Sequence, residues 1–445
     1  MKYTYRVWLL ALFAPLLVQG QSGPLGSLQK QVTDYASRRY QEKLFIHQDR
    51  PLYVVGETMW FKAYCVEAGS HRASDLSKVA YLEVLDGEQN AVVQTQITLA
   101  AGRGEGNLAL PTTLSSGTYT VRSYTNWMKN FGPDAFFEAA ITILNPFVKP
   151  EAQASEQASG PAYEMQFFPE GGHLVGSVEN RVAFRATGKD GRGIDFRGVV
   201  INQQNDTLLR FEPRRFGIGR FVLMPEPGHK YRAVVRDLQG RELTYPLPEV
   251  LSQGYAIQVQ EANQGRVQVA IAAPAFASSE VFLLAHTTAG VAYAEARRLA
   301  NGQAIFEISK DKLTEGITHL TLFDQATQPV CERLYYKKPA RELAIDAQTD
   351  KKEYAAREKV SLNLTASAAP AAQLSVAVYL LDSLPSAESA SIGSYLWLTS
   401  DLKGAVESPG YYTHATGPEA DEALDNLLLT HGWSRYRWEE VRADK

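Results

Sequence analysis

Ser400-Asp401-Leu402-Lys403 fits a Ser-x-x-Lys pattern, in which a nucleophilic hydroxyl lies one helical turn from a lysine base. Two fixed residues of common type recur by chance in a chain this long, and the Ser-Asp-Asn and Lys-Thr-Gly elements that complete such an acyl-transfer site do not occur. The 8 histidines are scattered singly, with no His-Glu-x-x-His and no His-x-His, and no Gly-x-Ser-x-Gly elbow is found. Acid pairs such as Glu419 with Asp421 and Glu439 with Glu440 suit helix ends or a solvated face. Cys65 and Cys331 are the 2 cysteines, without a CxxC or a Cys/His cluster that would hold zinc. Cys65 alternates with Met59, Phe61 and Ala63 on one strand face, which favours a buried thiol over a bridge to Cys331 in another unit. These readings predict a chain that is not an enzyme and has no catalytic residue, no metal and no cofactor.

The elements that carry these residues are strands. The chain has 445 residues with 45 Lys+Arg against 49 Asp+Glu, a near-balance that argues against a nucleic-acid partner. Hydrophobic residues at 45% are enough for real cores, and the length suits three or four units rather than one. Lys2 and Arg6 precede an apolar run from Val7 to Val18 that is too short to span a membrane, so residues 1–20 read as a secretory signal peptide. The mature chain then begins near Gln21, with an uncleaved N-terminal anchor as the alternative. No later segment has the apolar length of a membrane helix, so no transmembrane segment is expected after cleavage.

Helical spacing of Leu28, Val32, Tyr35 and Arg39 predicts an N-terminal helix within 21–43. From Leu44 the period becomes two. Lys78 to Val84, Ala91 to Leu99, Gly117 to Tyr124 and Phe136 to Leu144 read as strands of a first β-sandwich over 44–148. A polar linker over 149–162 follows, then a second β-sandwich over 163–250, a third over 251–340 and a fourth over 341–445 with C-terminal helices. Pro418, three acids and then Leu424, Leu427 and Leu428 predict a helix ending at Gly432. The fold class expected is all-β, with tandem antiparallel immunoglobulin-like sandwiches. Asp49, Arg50, Tyr53 and Glu57 reappear at the same offsets as Asp350, Lys351, Tyr354 and Glu358, which suggests a repeated domain type. Pro51 fixes its own φ, Gly56 can take a positive φ and Tyr53 can pack under the turn, so this motif reads as structural. Tyr124 and Trp127 in one segment, and Trp433 and Trp438 in another, could form contact surfaces for protein or glycan, or merely cover sandwich ends.

The run Leu44 to Tyr53 followed by Gly56 to Lys62 resembles the start of a macroglobulin domain of alpha-2-macroglobulin-type proteins. Phe167-Phe168-Pro169-Glu170-Gly171-Gly172, Ser400-Asp401-Leu402-Lys403-Gly404 and Leu429-Thr430-His431-Gly432-Trp433 resemble a Bacteroidota cell-envelope subgroup, whose longer members continue into a TonB-receptor plug-like domain. The resemblance implies macroglobulin-type sandwiches in the periplasm or at the outer membrane. It does not bring the covalent protease trap, because Cys65-Val66-Glu67-Ala68 and Cys331-Glu332-Arg333-Leu334 both lack the Gln of Cys-x-Glu-Gln. The function expected is an exported, non-catalytic binding or scaffold protein of the envelope, with an unidentified protein partner and an association with TonB-dependent systems. A non-covalent endopeptidase inhibitor and a carbohydrate-binding envelope protein are the alternatives.

Overall fold

The computed structural model describes residues 23–148, 163–262, 265–366, 372–380, 390–432 and 438–443. The predicted signal peptide, the predicted linker and Trp433 lie outside them. Pro at its first turn starts helix α1 (Pro24–Arg38), and Leu28, Val32 and Tyr35 form its buried stripe.

The first sandwich uses β1 (Glu42–Gln48), β2 (Leu52–Val54), β3 (Thr58–Glu67), β4 (Val79–Leu85), β5 (Ala91–Thr98), β6 (Arg103–Ala109), β7 (Gly117–Thr125) and β8 (Phe137–Leu144). A sheet ordered β1-β3-β6 faces one ordered β2-β8-β7-β4-β5. Alternation decides which side is inside: Met59, Phe61, Ala63 and Cys65 are buried, whereas Trp60 between them is 58% exposed. The second unit contains β9 (Tyr163–Pro169), β10 (Leu174–Val175), β11 (Asn180–Gly188), β12 (Phe196–Ile201), β13 (Thr207–Phe211), β14 (Ile218–Leu223), β15 (Arg232–Asp237), β16 (Glu242–Pro246) and β17 (Val250–Leu251). Its sheets run β14-β11-β9 and β13-β12-β15-β16, with Phe184, Phe196, Phe211 and Phe221 in ring contact between them.

The third unit has β18 (Ala256–Ala262), β19 (Arg266–Ala272), β20 (Glu280–Thr287), β21 (Gly290–Arg298), β22 (Gln303–Ser309), β23 (Gly316–Phe323) and β24 (Pro329–Lys337), in sheets β18-β19-β22 and β21-β20-β23-β24. Every residue of β23 is buried, because both faces of its sheet are covered. The sandwich core lies on one side. On the other, Phe282, Leu284 and Phe323 meet Leu28, Val32 and Tyr35 of α1, which therefore docks on the third unit rather than on the strand that follows it.

The last hundred residues include the expected C-terminal helices. They supply a two-stranded hairpin, β25 (Ile345–Thr349) and β26 (Leu362–Ala366), and then helices α2 (Ile392–Trp397), α3 (Pro409–His414), α4 (Pro418–His431) and α5 (Trp438–Ala443). Among the described residues no fourth sandwich closes. β25 and β26 are the two strands described after residue 340, and the α-helices α2 to α5 lie within the described residues from 390 onward. The helices cap other units instead. Leu424, Leu427 and Leu428 of α4 pack with Ile218 of the second unit and Ile317, Leu334 and Tyr336 of the third, while Tyr395 and Leu396 of α2 join the first core.

Candidate functional site

The motif that opens the first sandwich is a self-contained turn. The Asp49 Oδ1 accepts the Tyr53 hydroxyl at 2.7 Å and the Trp60 amide at 2.9 Å. Glu57 Oε2 accepts the Val54 amide at 2.7 Å. Arg50 lies 3.4 Å from both the Asp49 and Glu57 carboxylates and 5.0 Å above the Tyr53 ring. Pro51 accepts the Thr142 amide, and Gly56, at φ +85°, donates to Leu110. Burial, with Asp49 next, raises the Tyr53 phenol far above its usual range, so the hydroxyl stays a donor. Asp49, Tyr53 and Glu57 all spend hydrogen bonds on holding the turn.

The same turn recurs at the hairpin. Asp350 Oδ1 accepts the Tyr354 hydroxyl at 2.5 Å and the Ser361 amide at 3.0 Å, Glu358 Oε2 accepts the Ala355 amide at 2.8 Å, and Lys351 pairs with Glu358. The pairing register is retained as well. Leu44↔Cys65 to Gln48↔Phe61 in the first unit correspond, without insertion, to Ile345↔Ala366 to Thr349↔Leu362. The suggested repeat is thus a repeat of hydrogen bonds and register as well as of residue types.

Two clusters of charge gather residues from distant parts of the chain. Arg333 is 4% exposed on β24; its Nε donates to Glu170 Oε1 at 3.0 Å, and its Nη2 donates to Asp425 of α4. Arg181 approaches Glu170 Oε2 at 3.1 Å, and Arg220 donates to the other Asp425 oxygen. Glu170 also accepts the Val259 amide at 3.0 Å. Second unit, third unit and α4 meet here, where Gly171 turns at φ +85° in a space that a Cβ would share with Ile257. In the other cluster the buried Lys43 Nζ of β1 donates to Asp401 Oδ2 at 2.7 Å and the Leu396 carbonyl at 2.9 Å, with His71 Nε2 3.5 Å away. A cleft of ≈ 40 Å³ beside it, reaching Thr287 and Gly316 of the third unit, has room for little more than water.

Sequence reasoning did not single out Arg333, Glu170 or Lys43 for this role. A signal was present: Arg333 occupies the inward phase between Cys331 and Tyr335, and Lys43 adjoins the apolar run Leu44-Phe45-Ile46. Ser400 and Lys403 serve structure, Ser400 donating to Leu396 at 3.4 Å while Lys403 Nζ lies 3.9 Å from Asp134. Tyr124 is not a surface platform. Its ring is buried between Tyr81 and Phe136, its hydroxyl donates to Glu83 at 2.7 Å, and burial followed by Glu83 raises its pKa to about 12. Trp438 is not a surface residue either, since it packs edge-on against Phe323 and His286. Trp127 keeps 38% of its surface exposed while its indole donates to the Tyr40 carbonyl at 2.7 Å. Cys65 and Cys331 are free and buried in different units. No group of His, Cys, Asp or Glu suited to a metal ion occurs among the described residues.

No family model matches the chain. No curated protein matches it either. Among solved structures, it is similar to Escherichia coli alpha-2-macroglobulin activated by porcine elastase, at 11% identity over 74% of this chain and 33% of that chain, with a TM-score of 0.26. It is similar to Salmonella alpha-2-macroglobulin reacted with methylamine at 12% identity over 74% and 25% of the two chains, with a TM-score of 0.21. Dimeric latent PorU from Porphyromonas gingivalis is similar at 11% identity over 66% and 33%, with a TM-score of 0.29. The chain spans a third or less of the length of each. No helix among the described residues is long and apolar enough to cross a membrane.

Proposed function

We propose that the chain is an exported, non-catalytic, macroglobulin-like binding scaffold of the bacterial cell envelope, engaging a protein partner in TonB-dependent outer-membrane systems. One observation carries the non-catalytic reading. The charged side chains that folding gathers from far apart, Lys43 with Asp401 and Arg333 with Glu170 and Asp425, are spent on one another across the boundaries between units. Such pairs set the position of one sandwich against the next, as a scaffold requires. The leader-like N-terminus and the Asp49–Glu57 run support the envelope setting.

The test is cross-linked capture from envelope fractions with the chain tagged and the linked residues mapped. A TonB-dependent receptor or transport component linked to the outer faces of the sandwiches is the expected result. Catalytic turnover by the purified chain, lost on one substitution, would sink the proposal.

A further inference from the structure

Strand cations of the first and third sandwiches are found opposite carboxylates: Lys62 faces Glu105, Arg122 faces Glu138 and Arg298 faces Glu280 across their ladders. The outer face of the second unit's β13-β12-β15-β16 sheet departs from this. Phe196, Val200, Phe211, Ala233 and Val235 point into the core, so alternation turns four arginines outward, Arg197, Arg210, Arg232 and Arg236, and all four are exposed. Glu242 is the one carboxylate that these strands place beside them, because Asp237 is buried against Arg241. Arg197 lies directly opposite Arg236 in the register, and Arg210 directly opposite Val199 on the same face. Arg236 donates to Glu242 at 2.7 Å and Arg232 to Asn205 at 2.8 Å, but the side chains of Arg197 and Arg210 have no polar partner among the described residues. Like charges placed directly opposite weaken a sheet, and the surplus is local, since the whole chain carries a formal charge of −4.

We propose that this face docks an acidic polypeptide surface, with Arg197 and Arg210 as its first carboxylate contacts. A guanidinium fork matches a carboxylate with two parallel hydrogen bonds, and these two forks are unspent. Val199 and Val234 sit opposite one another between the arginines and are half-buried, so an apolar strip is rimmed by charge. That is the layout of a protein interface, whose middle is apolar and whose rim is charged. A bilayer fits less well, because a twisted four-stranded sheet meets a flat surface at few points. Carboxylates on the partner would also offset the repulsion between Arg197 and Arg236 and steer the approach. The inference rests on the reading of the chain as a binding module and adds the charge of the partner.

The experiment is fluorescence anisotropy of labelled poly-L-glutamate titrated with the whole chain at low ionic strength. Arg197→Glu combined with Arg210→Glu should weaken binding about tenfold or more. Arg72→Glu combined with Lys352→Glu, at exposed positions elsewhere, makes the same change in net charge and should weaken it less than about threefold. Arg197→Glu sets opposite charges across the ladder from Arg236, so the first double variant should melt no lower than the native chain. Equal weakening by the two double variants, or no binding by the native chain, overturns the proposal. So does tighter binding of the native chain to phosphatidylglycerol vesicles that is lost in the Arg197→Glu, Arg210→Glu variant, which would make a membrane the occupant. Failure to link any receptor or transport component in the envelope capture would count against the scaffold reading and leave the poly-L-glutamate result standing.

Discussion

Gly56 and Arg357 occupy equivalent places in the two copies of one turn and share one left-handed backbone, with φ of +85° and +65°. The turn demands that conformation because Glu57 and Glu358 each donate their amide back to the residue three before, at 3.1 and 3.0 Å. Glycine adopts it without penalty, whereas an arginine Cβ crowds the following carbonyl. Arg357→Gly is therefore expected to stabilise the hairpin by about 1 kcal/mol. Slower amide exchange over 345–366 would show it, and faster exchange would mean that the arginine side chain holds the turn.

Burial separates the two tyrosines of the repeat. Tyr53 is fully buried and Tyr354 only partly, though both bond to an aspartate. Tyr53→Phe leaves Asp49 short of a donor beside a core and should cost about 1–3 kcal/mol, while Tyr354→Phe should cost under about 0.5 kcal/mol. Urea unfolding of both variants decides this, and equal losses would contradict it.

Removing the Arg333 side chain leaves a deeply buried Glu170 with Arg181 as its remaining cation and Asp425 with Arg220, and breaks the link between them. Arg333→Met should cost about 3–5 kcal/mol. Because Glu170 and Asp425 belong to the second unit and α4, the variant should also separate the melting of the second and third units in calorimetry. A single undivided transition at the original temperature would show that the cluster is not a clamp.

Acid should weaken the fold through its neutral histidines. Burial, then the Arg185 cation, lowers His431 to about 4, and burial with Lys43 lowers His71 to about 4. Burial and His319 push His286 down as well. An unfolded chain takes up these protons near pH 6.5 and the folded chain does not, so stability is complete above about pH 6.5 and falls as pH drops toward 4. For His431 the loss is on the order of 3 kcal/mol. Denaturation at pH 7 and pH 4.5 should show a smaller drop for His431→Gln than for the native chain; an equal drop would remove His431 from the account.

Both thiols should be silent until the chain unfolds. Burial, followed by Glu42, raises Cys65 far above its usual range, and burial raises Cys331 to about 12. Neither should react with a thiol reagent in buffer, and both should react in strong denaturant. Rapid labelling of the native chain would mean that a sandwich opens.

The strands were legible because a residue in a sheet with one wet face alternates. Ala91 to Leu99 and Phe136 to Leu144 were readable for that reason, and they appear as β5 and β8. The Pro418 helix was readable from its first turn, and it runs from Pro418 to His431. Periodicity reports that a face is buried and not what buries it. Leu28, Val32 and Tyr35 predict a helix, but nothing local says that their cover is Phe282 and Phe323. The same blindness left Tyr124 and Trp438 looking like surface aromatics. Arg333 was hidden differently, since a charged residue in an inward phase reads as an interruption until its partners on other elements are known.

The docking of α1 on the third sandwich has a consequence for the order of assembly. The helix precedes β1, yet its seat on the third unit is incomplete until β23, which carries Phe323, has been made. While the chain emerges from its N-terminus, the first two sandwiches can close before the apolar stripe of α1 finds its seat. Helix α1 is thus among the late elements to settle, and a chaperone that shields Leu28, Val32 and Tyr35 during synthesis would have a natural point of release when the third sandwich closes.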